Sequence, residues 1–147
     1  MVNPRVQPPA LAIRILHGSL LTGASLACAV LAFIRHQTQP WLDPAILAGG
    51  IPAVLAVGLL VVALTVVRSQ IVPRAYPQTA DVYWSGPQTR GRVVLFWAMI
   101  DGAILLSLVA YFLTGGRDPA VTGVLGLLVL AWGRPAVLEG DEAATTP

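Results

Sequence analysis

The stretch that decides the fold is residues 93–113, which read VVLFWAMIDGAILLSLVAYFL. This segment is about as long as one helix that crosses a bilayer, and Asp101 near its middle is its only charged residue. An acid at that depth is costly unless it is paired, protonated or hydrated, and intramembrane acids are functional candidates by default. We therefore predict a membrane-spanning helix with Asp101 as the first residue to explain.

The composition of the whole chain agrees with a membrane protein. Only 11% of the 147 residues are charged and the mean hydropathy is +0.74, whereas soluble domains average about 25% charged residues. The fold class that we predict is all-α and polytopic, with the lipid bilayer as its main partner. The net charge of +2 is too small to indicate nucleic-acid binding.

Metal and cofactor sites are also disfavoured by composition. The single cysteine, Cys28, excludes an internal disulfide and a multi-cysteine metal site, and the two histidines leave little material for a metal centre. No serine, cysteine or threonine has a base at a recognised catalytic spacing, and no glycine-rich phosphate loop occurs. We predict a protein that is not an enzyme and that carries no cofactor.

Four apolar segments predict a four-transmembrane-helix bundle. The predicted organisation is a cytoplasmic tail (1–10), a first hairpin (11–67), a cytoplasmic loop (68–92), a second hairpin (93–138) and an acidic disordered tail (139–147). The loop carries three aromatic residues that we expect at the membrane surface: Tyr76, Tyr83 and Trp84. The last span, which reaches only to about residue 133, is short for a bilayer.

Arginine placement predicts the orientation. Seven arginines lie in the tails, the loop at 68–92 and the segment ends next to them, and only Arg35 and Arg117 lie on the other side. Cytoplasmic loops carry the excess of basic residues, so both termini are expected in the cytoplasm. We predict a multi-pass protein of a bacterial inner (cytoplasmic) membrane.

The two hairpins resemble each other. Residues 22–26 align with residues 101–105, and an Asp-Pro pair opens the second helix of each hairpin, at Asp43 and at Asp118. Both halves start on the same side, which predicts two related helical hairpins in a parallel repeat. The alternative is chance similarity among apolar sequences. In this alignment Thr22 takes the place of Asp101.

The candidate site is an intramembrane polar contact between the first and third spans. Asp101 is expected to bond one of three donors on the first span, namely Thr22, Ser19 or His17. Small residues at helical spacing predict close helix packing on the same two spans, and the candidates are Gly18, Gly23, Ser25, Ala98 and Gly102.

Two resemblances bear on this site. Residues 98–102, Ala-Met-Ile-Asp-Gly inside an apolar helix, resemble the carboxylate helix of rotary ATPase proteolipid (c) subunits, which implies Asp101 as a proton or sodium carrier. The preceding helix departs from that family, because Pro52 interrupts it and the dense glycine repeat is absent. Over its whole length the chain is similar to small four-helix bacterial integral membrane proteins of unassigned function, on Asp101-Gly102, residues 109–115 and Arg134-Pro135.

Three functions stay open on this evidence. The first is a non-enzymatic scaffold or accessory subunit that acts through helix–helix contacts, in a homo-oligomer or with a membrane-complex partner. The second is a small proton- or cation-coupled transporter or channel subunit that uses Asp101. The third is a lipid- or signal-sensing membrane anchor that uses the loop at 68–92.

Overall fold

The computed structural model describes residues 8–39, 42 and 51–140, and every secondary-structure element in these ranges is helical. The helices are α1 (Pro9–Gln37), α2 (Ile51–Val62), α3 (Ala80–Ser85), α4 (Pro87–Thr114), α5 (Arg117–Trp132) and α6 (Pro135–Glu139). Helix α2 continues through a π-helical turn, Ala63–Val67, and a 3-10 turn, Arg68–Gln70. The all-α prediction is confirmed.

Three helices are long and apolar enough to cross a membrane: Pro9–Gln37, Ile51–Gln70 and Pro87–Thr114. The fourth predicted span forms α5, a helix of 16 residues. At 1.5 Å per residue it is about 24 Å long, shorter than a hydrocarbon core of roughly 30 Å. The structure therefore supports three spans, and a fourth remains a proposal.

Helix α4, which contains the stretch 93–113, is the centre of the bundle. It packs against α5, α2 and α1. Its buried face presents large side chains that are fully enclosed, namely Phe96, Trp97, Ile100 and Ile104. Among the described residues, α1 and α2 both pack against α4 and make few contacts with each other, whereas α4 and α5 pack closely along their lengths.

Glycines set the close approach of α5 to α4. A Cβ added at Gly126 would lie 2.6 Å from Cγ1 of Ile104, and one at Gly133 would lie 2.9 Å from Cε1 of Phe96. Such distances are far inside van der Waals contact, so only a residue without a side chain fits at these two positions. The two glycines that pack against α4 thus lie in α5 and at its C-cap.

Helix ends follow from local sequence. Pro9 and Pro87 occupy the first turns of α1 and α4, where a missing N–H costs nothing. Gly115 ends α4 in the left-handed conformation, with φ of 67°, and its N–H bonds Tyr111 O at 2.7 Å. Gly116, not Asp118, is the N-cap of α5, so the predicted Asp-Pro cap lies inside the first turn.

Two predicted boundaries need correction. The segment 68–92 is largely helical, since α3 lies within it and α4 begins at Pro87, and its residues Tyr83 and Trp84 are buried instead of lying at a membrane surface. Glu139, assigned above to the acidic tail, ends α6 and is buried. Some predictions lie outside the described residues: most of the N-terminal tail, the Asp43-Pro44 cap and residues 141–147.

Candidate functional site

Asp101 lies at a groove between α1 and α4. The groove has a volume of about 180 Å³, and five small or aliphatic residues line it with Asp101 and Ser19: Leu20, Gly23, Ala24, Ala27 and Leu105. Asp101 itself is half-buried. Within the described part of the chain its carboxylate has no hydrogen-bond or ion-pair partner. Asp101 and Ser19 thus line the same groove, and no hydrogen bond joins them among the described residues.

The other predicted donors are placed elsewhere. Thr22 is exposed on α1 and does not line the groove. His17 is buried, and its Nε2 donates to the carbonyl oxygen of Leu130 on α5 at 2.9 Å. The specific contact between Asp101 and Thr22 is not present among the described residues. The predicted polar contact of Asp101 with a donor on the first span therefore stays a prediction.

The predicted packing residues face outward in this fold. Gly18, Gly23, Ser25 and Ala98 are exposed and Gly102 is half-buried. A Cβ added at Gly18, Gly23 or Gly102 would meet nothing within 4 Å in the described structure. The small residues that close a helix interface within the chain are on α5 instead. Their signal was available in the sequence, because Gly123, Gly126 and Gly133 interrupt the last apolar segment.

A second polar cluster, which we term the polar end, was not predicted as a site. It consists of five residues from α1, α3, α4 and α6, namely Arg14, His17, Trp84, Trp97 and Glu139. Its centre is the carboxylate of Glu139, whose Oε1 accepts the indole N–H of Trp84 at 2.6 Å. The guanidinium of Arg14 lies 3.9 Å from the same oxygen.

Hydrogen bonds from backbone N–H groups also join the chain segments around Glu139. Arg74 N–H donates to the carbonyl oxygen of Glu139 at 3.0 Å, and Ala10 N–H donates to Oδ1 of Asp81 at 3.2 Å. The chain between α2 and α3, the start of α1 and helix α6 therefore meet at one end of the bundle. Burial raises the pKa of the nearby Tyr83 phenol; the negative charge of Glu139 adds to this rise and Arg68 opposes it.

The side chains of His17 and Trp97 donate hydrogen bonds to carbonyl groups at the carboxyl end of α5, within the polar end. The indole N–H of Trp97 donates to Gly133 O at 2.8 Å, and the His17 ring lies 4.9 Å from the Trp97 ring, centroid to centroid. Carbonyls at a helix end lack partners within the helix and need donors from elsewhere. His17 and Trp97 supply these donors, which lets α5 end inside the protein.

We expect His17→Phe to lower the free energy of unfolding by about 1–3 kcal/mol, because it keeps the ring contact with Trp97 and leaves Leu130 O without its donor. Thermal unfolding in detergent measures the change. His36→Phe is the matched control, since His36 is exposed near the other end of α1. Equal stability of His17→Phe and the unmodified protein would contradict this role of His17.

A cavity lies next to the polar end. Its volume is about 440 Å³, and it is lined by the chain 74–80 together with Glu139 and Gly140. Among the described residues no three histidine, cysteine, aspartate or glutamate side chains are placed to hold a metal ion.

No protein-family model, curated protein or solved structure matches this chain.

Proposed function

We propose that this protein is a non-enzymatic integral membrane protein of a bacterial inner membrane, a scaffold or accessory subunit that acts through helix–helix contacts. Both termini would lie in the cytoplasm, and α5 would serve as a short fourth span. The groove between α1 and α4 would receive a transmembrane helix of a partner protein. The observation that carries this proposal is the unpartnered Asp101 carboxylate at an open groove.

The first support for this proposal is the free-energy cost of placing the Asp101 carboxyl group in a bilayer. A half-buried acid in the middle of a long apolar helix must be protonated, hydrated or bonded to a partner. A partner helix with a donor side chain at this depth would cover the acid and exclude lipid from it. Such interhelical hydrogen bonds contribute about 1–2 kcal/mol in model peptides.

The shape of the groove is the second support. Gly23 leaves open space on the α1 wall of the groove, since an added Cβ there would meet nothing within 4 Å. Small residues let a second backbone approach closely, which is how helices associate in the absence of a hydrophobic driving force. A narrow groove with one acid and small walls suits a helix better than a soluble ligand.

The first test is purification in mild detergent of three forms: unmodified protein, Asp101→Asn and Asp101→Leu. Asparagine keeps a hydrogen-bonding group and leucine does not, so we expect the complex to persist with Asp101→Asn and to weaken about tenfold with Asp101→Leu. Native gels and mass spectrometry of copurifying chains measure this. Loss of the complex in Asp101→Asn would rule out the hydrogen-bonded form of the proposal.

The second test locates the partner. A photo-crosslinking amino acid at position 23, on the groove, should give a protein adduct, whereas the same group at the exposed position 54 on α2 should label lipid only. Equal labelling at both positions would contradict the proposed face. If vesicles that contain only this protein show a pH-dependent cation flux that Asp101→Asn abolishes, the transporter alternative replaces the scaffold.

A further inference from the structure

The groove between α1 and α4 contains a hydrogen-bond acceptor and a donor that do not meet each other. The Asp101 carboxylate on α4 and the Ser19 hydroxyl on α1 both line the groove, so they lie at a similar depth in the bundle. Neither side chain has a hydrogen-bond partner among the described residues, and Ser19 is exposed. The structure thus leaves one donor and one acceptor unused on the same open surface.

The position of Ser19 around α1 shows which way its side chain is turned. Successive residues of a helix are about 100° apart around its axis, so Ala24, Gly23 and Ser19 follow one another around α1 at steps of about 100° and 40°. Ala24 is buried against the rest of the fold, whereas Gly23 and Ser19 are exposed. Gly23 therefore lies at the mouth of the groove, and Ser19 lies at its outer rim.

We propose that the groove receives helix α1 of a second copy of this chain, and that Ser19 of each copy donates to the Asp101 carboxyl group of the other. The second copy is the partner protein of the proposed function, on which this assignment rests. In a two-fold dimer the same surface of both copies forms the interface, so each contact occurs twice. With the axis normal to the membrane, equivalent residues of the two copies lie at equal depth. A second copy thus supplies both the donor that Asp101 lacks and the acceptor that Ser19 lacks.

Helix packing in such a dimer agrees with the positions of these residues. Packed helices lie about 8–10 Å apart, so three helices in mutual contact form a nearly equilateral triangle with angles of about 60°. If α1 of the second copy lies against Gly23, then α4 of that copy lies about 60° further around α1, close to Ser19. The exposed side chains of Leu26 and Val30 extend the same face at helical spacing. Thr22 lies about 60° beyond Ser19 and outside this contact.

The main test measures self-association of the full chain in lipid vesicles, by energy transfer between donor-labelled and acceptor-labelled copies. Ser19→Ala and Asp101→Leu each remove both contacts of the dimer, so each should weaken self-association about tenfold. A mixture of the two variants restores one contact, because Ser19 of one copy meets Asp101 of the other. The mixed pair should therefore associate about threefold more tightly than either variant does alone.

Thr22→Ala is the matched control, because Thr22 is an exposed hydroxyl residue of the same helix and lies outside the proposed contact. It should associate like the unmodified protein. A mixed pair that is no tighter than the two variants alone would overturn the exchange of contacts between copies. Equal weakening by Thr22→Ala and Ser19→Ala would overturn the assignment of Ser19 as the donor.

A photo-crosslink in cells separates failure of the second copy as partner from failure of the proposed function. With the crosslinking amino acid at position 23, the adduct should have twice the mass of the chain and contain peptides of this chain alone. An adduct with a different protein would overturn the second copy as the occupant and leave the proposed function standing. Labelling of lipid alone would contradict both.

Discussion

Trp84→Ala is expected to lower the free energy of unfolding by about 3–5 kcal/mol, the range measured for large aromatic deletions in protein cores. Trp84 is fully buried although it lies in a segment between two long helices. Its removal leaves a cavity, and it also takes from Glu139 the only side-chain hydrogen bond that the described residues provide. Thermal or denaturant unfolding in detergent measures the loss.

The matched control is Tyr76→Ala, because Tyr76 is an aromatic residue of the same connecting segment and is 99% exposed. We expect that change to stay within about 0.5 kcal/mol, as for surface substitutions. Trp84→Phe separates the two contributions, since it keeps most of the packing and removes the N–H. Equal destabilisation by Trp84→Ala and Tyr76→Ala would show that the polar end contributes nothing to stability.

Gly126→Val is expected to destabilise the protein by about 1–3 kcal/mol through overpacking of the interface between α4 and α5. The new Cβ would lie 2.6 Å from Cγ1 of Ile104, which is fully buried and has little room to move. The loss should appear as a lower unfolding temperature in detergent and as faster proteolysis of α5.

Gly58→Val on α2 is the control for this change, because an added Cβ at Gly58 meets nothing within 4 Å and the intrinsic helix propensity changes in the same way. Ile104→Ala in the Gly126→Val background should restore part of the stability, since it removes the side chain that clashes. Additive losses in the double variant would contradict the proposed contact.

The helical fold could be predicted from the sequence, because helices depend on local periodicity and composition. Length and apolarity indicate the helix around residues 93–113, which the structure contains as α4. Tertiary partners could not be predicted in the same way. Glu139 stands at the start of an acidic run, and its burial depends on residues far away in sequence, such as Trp84, 55 residues earlier.

The small residues also show that tertiary partners cannot be predicted from local sequence. Both α1 and α5 contain glycines, and no local signal tells which of them meet a helix of the same chain. The structure places Gly126 and Gly133 against α4 and leaves Gly18 and Gly23 open. A spacing rule predicts that a face can pack, and the identity of its neighbour depends on the three-dimensional arrangement of all helices.

The polar end also has a consequence for the order of biosynthesis. Arg14 and Trp84 are made first, and the carboxylate that joins them follows Arg14 by about 125 residues, or roughly 6–25 s at ordinary elongation rates. Arg14 lacks its acceptor throughout that interval, and Trp84, which precedes Glu139 by 55 residues, lacks it for about 3–11 s. Glu139, the residue that joins this end of the bundle, is therefore synthesised after all of the long helices.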